Sequence, residues 1–231
     1  MTVLVKICGL TNIDDAMLCI EVGVDAVGFV TEYPIPVPWN LSRKKSKELI
    51  SKIPPFISTT VVTSGKLSDI IEIATYTNPN IIQLHGEESI IDIEKVVETL
   101  SHNGVKVIKA ISIDADSRKA HFEISNPIEA AKSLQETGIH GLLLDSCTRN
   151  MPAGTGITIS WELAREINEK TSIPLILAGG LNSNNVRSAI RVVNPYAVDV
   201  ITGVENVPGR KDPNKVKEFV NAVKIKTHEE N

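Results

Sequence analysis

Residues 173–203 read IPLILAGGLNSNNVRSAIRVVNPYAVDVITG, and the fold is decided there. A short apolar run, IPLILA (173–178), ends on Gly179-Gly180. A stretch of helical length follows, with Asn182 or Ser183 as its expected N-cap. A second strand-length run, YAVDVI (196–201), then ends on Thr202-Gly203. Two apolar runs flanking a helix make a βαβ unit, which lays parallel strands side by side with the helix across them.

The unit recurs in both directions along the chain. Strand-length runs stand at VLVKIC (3–8), DAVGFV (25–30), STTVVT (58–63), NIIQLH (80–85), VKVIKAI (105–111) and HGLLLD (140–145). Between them lie stretches with apolar residues three and four apart, such as SKELISKI (46–53), IIDIEKVVETL (90–100) and WELAREI (161–167); VKEFVNAV (216–223) supplies the last helix. Eight such units close a barrel, whereas an open doubly wound sheet has fewer strands and opens on a GxGxxG that this chain lacks. The expectation is an α/β fold, a (βα)8 barrel of the TIM type, as one domain over residues 1–231 with a polar tail from about 224. The longest connection, IDADSRKAHFEISN (113–126), fits either a segment covering the substrate or a solvated surface loop.

Composition narrows the function. At 231 residues, with 42% hydrophobic and 23% charged, the chain has the profile of an ordinary globular protein. A net charge of −4 offers no electrostatic footprint for nucleic acid or an anionic membrane. No apolar run is long enough for a bilayer span and no signal peptide is visible, so a cytoplasmic location is expected. The three cysteines, Cys8, Cys19 and Cys147, show no CxxC spacing, and the five histidines form no HxH or HExxH pair. Neither a disulfide framework nor a metal site is expected. The expected partner is a small phosphorylated molecule, bound by a monomer or a homodimer.

In a barrel of this kind the chemistry gathers where the strands end. Gly179-Gly180 after the seventh run and Ile201-Thr202-Gly203 after the eighth suit a phosphate, because glycine lets backbone N–H groups approach a ligand and a helix N-terminus favours an anion. The simpler reading is that these glycines only turn the chain. Cys8 and Asp145 end the first and sixth runs and face each other across the mouth. A cysteine there is often a small packed group and an aspartate often a cap, but together above a phosphate site they make a base and an acid. The thiol would need its pKa lowered, and the helix beginning near Ile13 could supply the field. Strand alternation points Lys6 inward beneath Cys8, and the neighbouring Asp199 is its expected counter-ion. Gln83 and His85 share the inward face of the fourth strand, His85 serving either the substrate or the barrel rim.

Taken in order, VKICGLTNIDDA (5–16), QLHG (83–86), LLLDS (142–146), GTG (154–156), LAGGLN (177–182) and VDVITGVE…PGRKD (198–212) resemble the phosphoribosylanthranilate isomerases of tryptophan biosynthesis. The resemblance implies an Amadori rearrangement of N-(5-phosphoribosyl)anthranilate to 1-(2-carboxyphenylamino)-1-deoxyribulose 5-phosphate. It implies that Asp145 is the general acid that opens the furanose ring and Cys8 the general base at C2′. It implies no cofactor, the protonated imine being the electron sink. Two positions depart from the family pattern. Ile201-Thr202 stands for a Ser-Ser pair. Val37-Pro38-Trp39-Asn40 stands where the family carries Ser-Pro-Arg, whose arginine meets the anthranilate carboxylate. Trp39 is thereby expected to border the pocket, with Arg43 as the nearest cation in sequence and Arg210 and Lys211, after the eighth run, as its competitors.

Overall fold

A computed structural model describes residues 2–147 and 158–224 of the chain. GTG at 154–156 and the polar tail beyond Lys224 lie outside the described residues. Eight parallel strands close on themselves: β1 (Leu4–Ile7), β2 (Ala26–Val30), β3 (Ser58–Thr63), β4 (Ile81–Leu84), β5 (Lys106–Asp114), β7 (Gly141–Cys147), β8 (Leu175–Leu177) and β9 (Ala197–Val200). The ring closes because β4 pairs with β5 and β9 pairs with β1. Helices α1 (Ile13–Val22), α2 (Arg43–Ile50), α3 (Leu67–Thr77), α4 (Ile90–Ser101), α5 (Pro127–Glu136), α6 (Trp161–Lys170), α7 (Val186–Val193) and α8 (Pro213–Lys224) form the outer layer. The chain therefore adopts a (βα)8 barrel.

Strand alternation divides the core in two. Val5, Ile7, Val27, Phe29, Val61, Ile82, Val107, Leu142, Leu144 and Val198 face outward and are buried under the helices. Ala110, Leu143, Ile176, Ala178 and Ala197 fill the barrel interior with Leu4 and Ile108. Parallel strands covered on both faces need apolar residues in both registers, so these runs read as continuous rather than alternating.

The helix starts are local in origin. Asn12 accepts the Asp15 N–H at 2.9 Å, Ser89 caps α4 through Asp92 N–H, and Asn126 caps α5 with Pro127 at its first position. The start of α7 corrects the sequence expectation. Its N-cap is Asn185, not Asn182 or Ser183. Asn182 instead accepts the Asn184 N–H at 2.9 Å and donates its own N–H to Asn185 Oδ1 at 2.9 Å. These side-chain bonds commit the asparagines to a turn, and the helix begins after it.

The 113–126 connection is not a bare loop. Asp114 Oδ1 accepts from Ser117 N–H at 2.7 Å and closes a turn. Strand β6 (Ala120–His121) then returns antiparallel to Ser112 and Ile113. Beyond β9, a 3-10 turn (Thr202–Val204) leads into a small hairpin, β10 (Glu205–Val207) with β11 (Arg210–Lys211).

Candidate active site

One pocket opens at the C-terminal ends of the strands. Cys8, Trp39, His85, Asp145, Gly179, Gly180, Asp199, Ile201 and Thr202 all line it. Gly203 sits behind it, where an added Cβ would lie 2.0 Å from the Leu181 carbonyl oxygen. The two glycine loops therefore touch, and a side chain at 203 would force them apart. Gly179 and Gly180 carry φ of 78° and 62°, backbone that other residues adopt only under strain. A Cβ on Gly179 would also meet the Ser146 backbone nitrogen at 2.6 Å. These glycines do turn the chain, and they also bring it against the residue beside Asp145.

Cys8 continues the β1 ladder, its N–H donating to Val200 O at 3.0 Å. Its side chain is buried at 1% exposure and packs with Val30, Val62, Trp39 and Ile201. Opposite it, Gly28 leaves the thiol its room: a Cβ there would lie 2.6 Å from Sγ. Gly28 was not anticipated. Its signal is a glycine inside the otherwise large-residue strand DAVGFV, a pattern that marks close approach.

Beneath Cys8, Lys6 Nζ donates to Asp199 Oδ2 at 2.8 Å. The pair joins register neighbours across the β1–β9 seam, as the alternation implied. Burial pulls the Lys6 pKa down, but the Asp199 carboxylate and Cys8 outweigh it, so the ammonium is held above its ordinary value. Burial pushes the Cys8 thiol up, and the Lys6 charge only partly opposes it. This corrects the expectation of a thiol lowered by α1. The field of that helix is offset at its first turn by Asp14 and Asp15, and desolvation dominates at a thiol so deeply buried.

Asp145 is 7% exposed. Its Oδ1 accepts the Ser146 N–H at 2.8 Å, and Oδ2 lies 3.5 Å from His85 Nε2. That approach is electrostatic rather than a formed hydrogen bond, and His85 Nε2 has no hydrogen-bond partner among the described residues. Gln83 Nε2 stands 3.3 Å from His85 Nδ1. With the amide nitrogen as donor, Nδ1 is the acceptor and the neutral ring carries its proton on Nε2, facing the carboxylate. Tyr33 Oη donates to the His85 carbonyl at 2.5 Å. Lys109, paired with Glu88 at 2.7 Å, donates to the Gly86 carbonyl at 2.6 Å. The His85 turn is thus held from both sides by groups that sequence reading did not single out, because each is close only in space. Gln83 Oε1 and Asp199 Oδ1 are buried without a hydrogen-bond partner among the described residues, leaving polar acceptors in the pocket wall.

The three cations considered in place of the missing arginine are paired or exposed. Arg43 is paired with Glu32 at 2.7 Å and Glu72 at 2.8 Å. Arg210 is largely exposed and 3.7 Å from Asp15. Lys211 is buried against Glu205 at 2.7 Å.

Comparison with known proteins agrees with this geometry. The N-(5'-phosphoribosyl)anthranilate isomerase of Methanosarcina acetivorans is 38% identical over 224 residues, covering 95% of this chain and 92% of that protein. The crystal structure of phosphoribosyl anthranilate isomerase from Thermotoga maritima superposes with a TM-score of 0.79 at 37% identity, covering 96% of this chain and 98% of that one. A structure of such an isomerase in complex with reduced 1-(o-carboxyphenylamino)-1-deoxyribulose 5-phosphate gives 0.76 at 34% identity, with 96% and 98% covered. Residues 5–222 match the family model described as N-(5'phosphoribosyl)anthranilate (PRA) isomerase, and the chain belongs to that family.

Proposed function

We infer that this chain catalyses the Amadori rearrangement of N-(5-phosphoribosyl)anthranilate to 1-(2-carboxyphenylamino)-1-deoxyribulose 5-phosphate, the isomerase step of tryptophan biosynthesis. The observation that carries this reading is the meeting of Cys8, Asp145 and both glycine loops in one pocket of a chain that matches the family over residues 5–222. In it the phosphate rests on the backbone of Gly179-Gly180 and Ile201-Thr202-Gly203. Having isoleucine rather than serine at position 201 leaves that amide in place. Asp145 gives its proton to the furanose ring oxygen, the C1′–O bond breaks, and a protonated imine forms. Cys8 as thiolate takes the proton from C2′, the electron pair moves into the C1′–C2′ bond, and the imine nitrogen becomes the neutral amine of an enolamine. Tautomerisation gives the ketone, so no external electron acceptor is required.

The raised thiol fits this sequence of events. A resting neutral thiol is protected from adventitious chemistry, since the thiolate is the reactive form. Lys6 beneath it and the cationic imine above it both favour the thiolate once the ring has opened. Asp199 and His85 lie within the same pocket and are assigned to the ribose portion. Trp39 is assigned to the aromatic portion. A cytoplasmic location belongs to the same reading, as does a monomer or homodimer, since both monomeric and dimeric forms of the Thermotoga maritima isomerase are described.

Conversion of enzymatically generated substrate, followed by loss of its anthranilate fluorescence, tests the activity. Growth of a tryptophan auxotroph lacking the isomerase tests it in a cell. A purified, folded chain that does neither would refute it.

A further inference from the structure

Trp39 is anchored by groups that take no part in proton transfer. Its indole Nε1–H donates to both oxygens of Glu205, at 3.0 and 3.3 Å. That carboxylate is buried, and it also accepts from Lys211 Nζ at 2.7 Å and Gly209 N–H at 3.3 Å. The Lys211 side chain is fully buried, and its ammonium donates to the Ile201 carbonyl at 3.2 Å. One ion pair therefore holds the indole on one side and the entry to the Thr202-Gly203 loop on the other. The indole lies on Gly9, where an added Cβ would stand 2.9 Å from Trp39 Cδ1 and 2.9 Å from Ile201 Cγ2. Trp39 is 166 residues from Glu205 in sequence, so the link is made only by barrel closure.

A buried carboxylate needs a cation and hydrogen-bond donors. Lys211 supplies the cation, and the indole supplies a donor that costs the ring its freedom. An unanchored tryptophan on a loop samples several staggered rotamers, and freezing one on binding weakens affinity. The anchor removes that cost before the ligand arrives. The Ile201–Thr202 peptide is trans, as no cis peptide occurs among the described residues. Its carbonyl faces Lys211, so the Thr202 N–H is directed the opposite way.

We propose that Glu205 is a positioning residue for substrate: backed by Lys211, it fixes the Trp39 indole as the wall that receives the substrate's N-aryl ring, and ties that wall to the phosphate loop. The proposal rests on the isomerase reading and adds a determinant that touches no reacting atom. Its signature is a change in KM with little change in kcat, because an indole wall binds ground state and transition state alike.

The test is a double-mutant cycle with N-(5-phosphoribosyl)anthranilate as substrate. Trp39→Phe keeps an aromatic ring and removes the N–H donor. Glu205→Gln keeps the shape and removes the charge. Each should raise KM by up to about tenfold, the size of freezing one freed side chain on binding, while kcat moves less than about threefold. In the Trp39→Phe background, Glu205→Gln should add less than about twofold to KM, because its route through the indole is already gone. Two KM effects that multiply in full, or a KM unmoved by Trp39→Phe, would overturn the proposal. If Glu205→Gln fails to fold with Lys211 left unpaired, the half-buried Trp39→Phe decides the matter alone. An unmodified protein without isomerase activity would overturn the function beneath the proposal, a result distinct from an active isomerase whose KM ignores these changes.

Discussion

Replacing Lys6 by Met strands the Asp199 carboxylate inside the barrel. Both residues are 5% exposed, their charged atoms are 2.8 Å apart, and Asp199 Oδ1 already lacks a hydrogen-bond partner among the described residues. At an effective dielectric of about 20, unit charges at that distance attract by roughly 6 kcal/mol. In the intact protein the cost of withdrawing both charges from water offsets much of this. Removing one partner keeps the other's desolvation cost and deletes the attraction, so Lys6→Met and Asp199→Asn should each destabilise by about 3–5 kcal/mol. The double variant leaves no buried charge and should lose less than either single variant, a coupling of at least about 3 kcal/mol. Urea unfolding of the four proteins near neutral pH measures this. Fully additive losses, or single losses below about 1 kcal/mol, would refute the reasoning.

The pH dependence of this pair has a definite sign. Lys6 is raised in the folded state, so its contribution is fully present below its unfolded value of about 10.4 and is lost as pH climbs through the folded one. The Cys8 thiol is raised as well, so its part begins to be lost above about 8.5. Both push stability down on the alkaline side, and neither affects the acid side.

Cys8→Ser and Asp145→Asn should each lower kcat by roughly 10²–10⁴-fold with little change in KM, as expected for a positioned base and acid; steady-state kinetics would expose a near-normal kcat in either. Because burial pushes the thiol up, kcat/KM of the unmodified enzyme should still be rising with pH past about 8.5. Lys6→Met should carry that limb to higher pH, and a profile already level at neutral pH would exclude a Cys8 base, provided chemistry limits the rate. Gly28→Ala would place a methyl group 2.6 Å from Cys8 Sγ and should cost about 10²-fold in kcat by misplacing the thiol. A Gly28→Ala enzyme with normal kcat, its fold checked by circular dichroism, would show that the thiol has other room.

The sequence alone determined the barrel and its polar seam, because both follow from short-range periodicity. STTVVT became β3 with the expected limits, and the alternation of Lys6 with Cys8 placed both inside. It also put Cys8, Asp145 and the glycine loops on one rim, since residues that end strands in a closed barrel must share it. Tertiary structure decided everything that depends on distance between remote segments. Asn182 and Ser183 carried a cap signature, yet the turn bonds of Asn182 and Asn185 moved the start of α7 to Val186. The α1 terminus suggested an acidic thiol, but how deeply Cys8 is buried follows from packing by Val30, Val62 and Trp39, not from its neighbours in sequence. Trp39 read as a departure from a family pattern, and only closure of the barrel brought it to Glu205 and Lys211. Local hydrogen bonding and side-chain alternation act over a few residues and leave a trace in the sequence; burial and ion pairing are properties of segments that meet only when the chain has folded.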